Sequence, residues 1–158
     1  MPNQVPQSVL DYLDSAKTVT LATASPDGTP HASTFMYVND GVTLFVWARP
    51  TSTTASHLRD NSKVSFAIDE YVEDWNKAKG IQGDGTAAAV TSGDDVVRAV
   101  GLFADKFPSP SSGASTTNIA FFKITPTALQ FIDNAGERVS LSGDEFGMTF
   151  HREEVLSG

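Results

Sequence analysis

Apolar positions recur along the chain at two periods, and the switches between them mark out its elements. Residues 6–16 place Val9, Leu10, Leu13 and Ala16 at helical spacing, with Gln7, Asp11 and Asp14 opposite, which predicts an amphipathic packing helix. Residues 18–24 (TVTLATA) are rich in β-formers and end at Ser25-Pro26-Asp27-Gly28, a strong turn signal. Residues 31–38 (HASTFMYV) follow, then Asn39-Asp40-Gly41, where Asp-Gly suits a tight hairpin turn, then residues 42–48 (VTLFVWA). Three strands joined by two tight turns predict an antiparallel meander. The third is apolar on both faces, with Val42, Leu44 and Val46 opposite Phe45 and Trp47. Both faces of that wall should therefore be covered, as in a barrel overlaid by a helix or a second subunit.

Residues 51–61 predict a short helix with Ala55 and Leu58 inward, and residues 63–69 (KVSFAID) alternate cleanly as a strand. A polar connection carrying Tyr71 and Trp75 leads to residues 79–90, a strand in which Gly83 and Gly85 predict a bulge or a close backbone approach. Residues 93–107 form the strongest helix, with Val96, Val97, Val100, Phe103, Ala104 and Phe107 as its apolar stripe. The Pro- and Ser-rich run 108–118 reads as a mobile loop. Residues 119–124 and 128–133 predict two further strands separated at Thr125-Pro126, and MTFHR a short one near the end. No internal repeat or second domain is evident, so residues 1–158 make a single domain with a flexible tail from about residue 143. Hairpins with few, non-alternating helices indicate a mainly β (α+β) fold: a six- or seven-stranded antiparallel split barrel with about three helices.

Charge narrows the function classes. Lys+Arg number 11 against 19 Asp+Glu, a formal net charge of −8, which argues against nucleic-acid or anionic-membrane binding. There are no cysteines, so disulfide, thiolate and iron–sulfur chemistry are excluded. No apolar run approaches a membrane span, and the N-terminus lacks a secretory pattern, so a cytoplasmic location is the expectation.

One stretch stands out chemically. Between the strand ending at Ala48 and the helix after it lie Thr51, Ser52, Thr53 and Thr54, flanked by Arg49, His57 and Arg59. A helix N-terminus offers unpaired N–H groups and the positive end of its dipole, and hydroxyls and a guanidinium add donors for an anion. The same hydroxyls also suit a plain helix cap. His31, His57 and His151 are the only histidines, and no pair has metal-ligand spacing, so no metal site is expected. No P-loop, dinucleotide fingerprint or nucleophile elbow is present.

The order of these pieces adds a resemblance. The run from ATASPDGTPHASTF through ARPTSTTASHLRDNSKVSFAID to GIQGDGTAAAV resembles the pyridoxamine 5′-phosphate oxidase-like family of flavin-binding split barrels. The motifs are a DG-P turn, a second strand of small residues, Ser-x-Thr-Ala-x-x-Leu-x-x-Asn after the third strand, and a later strand ending in Gly-Thr-Ala. The resemblance implies a homodimer with flavin mononucleotide (FMN) at sites across the interface, and an FMN-dependent oxidoreductase of unassigned substrate. It implies that His31, Ala32, Ser33, Thr34 and Phe35 run beside the flavin ring. Trp47, Arg49, Thr51, Ser52, Thr53 and Thr54 would hold the ribityl chain and phosphate, with His57 nearby, and Gln82 would reach the cofactor from the partner chain. The family's turn carries Ser-Arg-Lys where this chain has Ser52-Thr53-Thr54, so hydroxyls replace two cations. Two alternatives stay open: a deazaflavin- or haem-binding barrel, and a non-catalytic binding or stress-response module that has lost tight flavin binding. The family's basic C-terminal substrate signature is absent from the acidic tail, which argues against pyridoxamine 5′-phosphate as substrate.

Overall fold

A computed structural model of the chain describes residues 5–108, 118–142 and 149–154. The expected mobile loop falls almost wholly outside these residues, as does most of the expected flexible tail. Helix α1 (Gln7–Ser15) leads into β1 (Thr18–Ala24), β2 (Pro30–Met36), β3 (Val38–Asp40) and β4 (Thr43–Ala48). Helix α2 (Thr53–Asp60), β5 (Lys63–Asp69), a 3₁₀ turn at Trp75–Lys77, β6 (Lys79–Ala89) and α3 (Gly93–Lys106) follow. The chain closes with β7 (Ala120–Asp133), β8 (Glu137–Ser142) and β9 (Thr149–Glu154). Among the described residues, all nine strands belong to one antiparallel sheet with the order β2-β1-β5-β6-β7-β4-β3, and β8 and β9 continue from the far half of β7. The mainly β, three-helix split barrel read from the sequence is the observed architecture. The described strands exceed the expected six or seven because β3 is a separate strand, β8 was not anticipated and β9 forms, while residues 120–133 make one strand where two were expected.

The expected meander does not form. The segment read as one strand over 31–38 breaks at Tyr37: β2 pairs with β1 through Thr18↔Met36, whereas β3 pairs with β4 through Val38↔Phe45. Its two halves therefore sit at opposite ends of the sheet order. Tyr37 anchors the break. It is fully buried, its hydroxyl donates to the Leu13 carbonyl at 2.6 Å, and its N–H donates to the Lys17 carbonyl. Burial pushes its phenol pKa up. The sheet curls about this corner and leaves β2 and β4 facing each other without hydrogen-bonded pairing.

A second correction concerns Pro126, which was expected to end a strand. The ladder instead runs through it, with Gly85 opposite Pro126 and a register shift between Asp84 and Gly85. Proline lacks a donor, and the bulge places that gap where the ladder is already interrupted. A Cβ on Gly85 would meet the Thr125 carbonyl and lie 2.9 Å from the Pro126 Cα, which explains why this strand needs glycine there.

The main core joins Val9 and Leu13 of α1 to the inner faces of the sheet, including Leu21, Leu44, Val46, Ile68, Ile81, Ile124 and Phe131. Ala55 and Leu58 of α2 close it as expected. Phe45, on the other face of β4, packs with Val38 and Ala99 under α3, so both faces of β4 are covered. The stripe of α3 is rotated from the predicted one. Ala99, Leu102, Phe103 and Phe107 face the sheet, while Val97 and Val100 are exposed. An exposed Arg98–Asp40 ion pair at 2.8 Å links α3 to β3 and adds little stability.

Candidate functional site

The gap between β2 and β4 is a cleft of ≈ 430 Å³, within the size range of cofactor and small-molecule sites. From β2, His31, Ser33, Thr34, Phe35 and Met36 line it; from β4, Trp47 and Ala48. Arg49, Thr51, Ser52 and Thr54 close one end. These walls come from strands separated by nearly the whole sheet order, so the site exists only because the barrel curls and stays split.

The two ends differ in chemistry. Phe35, Met36 and Trp47 make an apolar wall, with Met36 and Trp47 respectively 45% and 36% exposed. Such exposure for large apolar side chains marks a surface suited to a planar ligand or a partner. At the other end, the turn is organised by Ser52: its N–H donates to the Arg49 carbonyl at 2.9 Å, and its Oγ accepts from the Ala55 N–H at 3.1 Å. Ser52 thus caps α2, and the N–H groups of Thr53 and Thr54 stand at the open start of the helix. Thr54 is buried with 1% exposure while still lining the cleft.

Among the described residues, Arg49 is the one arginine or lysine lining this cleft. Arg59 turns back and donates to the Pro50 carbonyl at 3.1 Å. His57 lies outside the lining, with Nδ1 2.9 Å from the buried Thr23 hydroxyl and its ring edge-on to His31 at 6.0 Å between centroids. His31 is itself tied to Ser33 through Nε2 at 3.0 Å.

Of the residues singled out in the sequence, the structure brings His31, Ser33, Thr34, Phe35, Trp47, Arg49, Thr51, Ser52 and Thr54 to this cleft. Ala32 and Thr53 are exposed beside it, and His57 sits behind it. Met36 lines the cleft without having been singled out, whereas Ala48 lies within the 47–54 stretch expected there. Met36 continues a strand that was singled out, so strand continuity was the available signal. Gln82 lies elsewhere, in a second cavity of ≈ 460 Å³ bounded by Ser65, Asp84, Gln130 and Ser140. Its floor is the Phe66 ring, packed so closely on Gly83 that a side chain there would overlap it. Ser65 Oγ donates to Asp84 at 2.6 Å on its wall.

A third cavity of ≈ 350 Å³ holds Asp14, Lys17 and Lys106 near α3. Lys106 Nζ lies 4.0 Å over the Tyr37 ring and donates to the Leu13 carbonyl at 3.3 Å. Burial and, secondarily, the like charge of Lys17 lower its pKa to about 8. Burial likewise pushes Tyr12, whose hydroxyl donates to the Lys79 carbonyl at 3.2 Å, up to about 12. Among the described residues, no three His, Asp or Glu side chains gather as a metal set, and no helix is long and apolar enough to cross a membrane.

A curled antiparallel sheet with a cleft at its open seam and a capped helix at one end defines a split-barrel fold. The sequence profile of the pyridoxamine 5′-phosphate oxidase family matches residues 5–133, and the chain belongs to that family. No curated protein sequence matches it. Among solved structures, the conserved hypothetical protein Rv2991 of Mycobacterium tuberculosis is similar at 20% identity and a TM-score of 0.72, covering 84% of this chain and 87% of that one. The haem storage protein HutZ of Vibrio cholerae gives 20% identity and a TM-score of 0.67, covering 80% and 94%. A haem-binding protein of Mycobacterium smegmatis gives 17% and 0.72, covering 92% of this chain and 62% of that one. At these identities the likeness is one of fold.

Proposed function

We propose that the chain binds FMN in the β2–β4 cleft as a homodimer and serves as a flavin-dependent oxidoreductase. The observation that carries this reading is the pairing, in one cleft, of an apolar wall (Phe35, Met36, Trp47) with an anion-suited end made by Arg49 and the start of α2. The residues fit the group: a flat ring needs the apolar wall, and a phosphate needs the cation, the hydroxyls and the helix N-terminus. Bound flavin would supply the electron and hydride chemistry. The chain's own part is to orient the ring along β2, hold the phosphate at Arg49, Thr51 and Ser52, and exclude water. Gln82 lies outside its own chain's cleft. In the homodimer its polar cavity faces the partner's cleft and supplies hydrogen bonds there.

Titration of purified protein with FMN and riboflavin, followed by flavin fluorescence, tests this. FMN should bind more tightly than riboflavin, with one flavin per chain at saturation. Failure of both flavins to bind overturns the reading. Haem is the second reading, favoured by the haem proteins among the similar structures. Among the described residues, His31 is the one histidine lining the cleft, and it would be the ligand. A Soret band on adding haem, lost in His31→Ala, would select it.

A further inference from the structure

Two lysines converge where the ends of two helices meet. Lys17 follows α1 and Lys106 closes α3, positions where a cation suits the negative end of a helix dipole. Lys106 reaches beyond its own helix. Its Nζ donates at 3.3 Å to the Leu13 carbonyl of α1, one of those that a helix end leaves without an intrahelical partner. Tyr37 donates its hydroxyl to the same carbonyl and holds its ring under the amine, 4.0 Å from centroid to Nζ. Both lysines also flank Phe107, with Nζ of Lys17 at 5.6 Å and Nζ of Lys106 at 5.9 Å from its centroid. Phe107 is in turn stacked on Phe103.

Lys106 therefore rests on neutral partners. Among the described residues no carboxylate forms an ion pair with it. It lines the cavity of ≈ 350 Å³ together with Asp14, Lys17, Asn39 and Asp105. That cavity shares no lining residue with the β2–β4 cleft, so its chemistry is independent of flavin binding. A half-buried amine beside a second cation is the arrangement that makes lysine nucleophilic, because both features disfavour the ammonium form. Here burial and then Lys17 lower the Lys106 pKa to about 8, and Asp14 opposes them. Asp105 is exposed at the rim, and Tyr37, whose pKa burial pushes up, stays neutral. At pH 7 about a tenth of the amine is then neutral, ~300-fold more than for an ordinary lysine.

We infer that Lys106 is a covalent site for a small aldehyde that bears a carboxylate, with the carboxylate held on Lys17. The Nζ lone pair adds to the carbonyl carbon and the C–O bond then breaks. The oxygen leaves as water with both amine protons, a C=N bond remains, and no oxidant or reductant is consumed. The cavity volume lies at the lower end of the range for small-molecule sites, which suits a compound of few heavy atoms.

Glyoxylate tests the site, with cyanoborohydride to trap the imine as a stable amine and peptide mass spectrometry to read each lysine. Lys63, Lys77, Lys79 and Lys123 are internal controls. At pH 7 Lys106 should be labelled ~10-fold or more faster than they are, its neutral fraction outweighing its lower basicity. Its rate should level off above about pH 8 while theirs continue to rise. Lys17→Met, confirmed as folded by circular dichroism, should slow glyoxylate at Lys106 ~5-fold more than glycolaldehyde, which lacks the carboxylate. Labelling of Lys106 at the rate of the four controls overturns the covalent site. Equal slowing of the two aldehydes in Lys17→Met overturns the carboxylate assignment.

Discussion

Replacing Arg49 with Ala separates the phosphate end of the cleft from the ring end. Arg49 is exposed and, among the described residues, is the one arginine or lysine lining the cleft. A charge-assisted contact to a phosphate contributes about 1.5–3 kcal/mol, and solvent at this site favours the lower end. A loss of about 1.5–2 kcal/mol corresponds to a ~10–30-fold weaker Kd for FMN. Riboflavin lacks the phosphate, so its Kd should change by less than ~2-fold. Arg59→Ala is the matched control, because its guanidinium is engaged with the Pro50 carbonyl and lies outside the lining. Fluorescence titration of both flavins against the three proteins gives the result directly. Raising ionic strength should weaken FMN in wild type more than in the variant, because the screened charge is then already gone. Equal losses for FMN and riboflavin, or an Arg59→Ala effect as large as that of Arg49→Ala, would refute the phosphate assignment.

Three further outcomes follow from the packing. Gly85→Ala should cost about 3 kcal/mol in urea unfolding, because its Cβ meets backbone of Thr125 and Pro126 that moves only with the β6–β7 ladder. Gly93→Ala, with nothing within 4 Å of its Cβ, should be neutral or mildly stabilising; equal effects at the two sites would contradict the bulge. Tyr37→Phe should lose about 1 kcal/mol, since the Leu13 carbonyl keeps its contact with Lys106 when the phenol is removed. A cost above roughly 3 kcal/mol would show that the hydroxyl does more than donate that bond. Lys106 has a folded-state pKa near 8 against an ordinary 10.5, so between these values the unfolded chain binds more protons. Its contribution to stability should therefore rise with pH across that window, by about 1 kcal/mol once solvent screening of the half-buried amine is counted. Lys106→Met should remove that slope; the difference between the two curves cancels the tyrosines, and identical curves would refute the attribution.

Local pattern carried much of this molecule. The turn at Ser25-Pro26-Asp27-Gly28, the alternation of β5, the glycine bulge of β6 and the hydroxyl-rich start of α2 are all short-range features. Each depends on neighbours within a few residues, and each was legible along the chain. Tyr37 was not, because nothing in HASTFMYV marks a corner. The break there follows from a hydroxyl reaching Leu13, more than twenty positions earlier. Pro126 misled for the same reason: its missing donor is harmless only because Gly85, distant in sequence, bulges opposite it. Rotation of α3 likewise reflects which face meets Phe45, a choice its own apolar residues left open.

The candidate site divides along the same line. By itself, the sequence determined that a hydroxyl-rich helix start follows an aromatic strand, and in its motif order it determined the family. Only the tertiary structure decided which cation lines the cleft, since Arg59 and His57 are drawn off by Pro50 and Thr23 while Arg49 remains. It also separated Gln82 from its own chain's cleft. Both results depend on the curl of the sheet, which is set by contacts between residues far apart in the chain and so leaves no local periodicity to read.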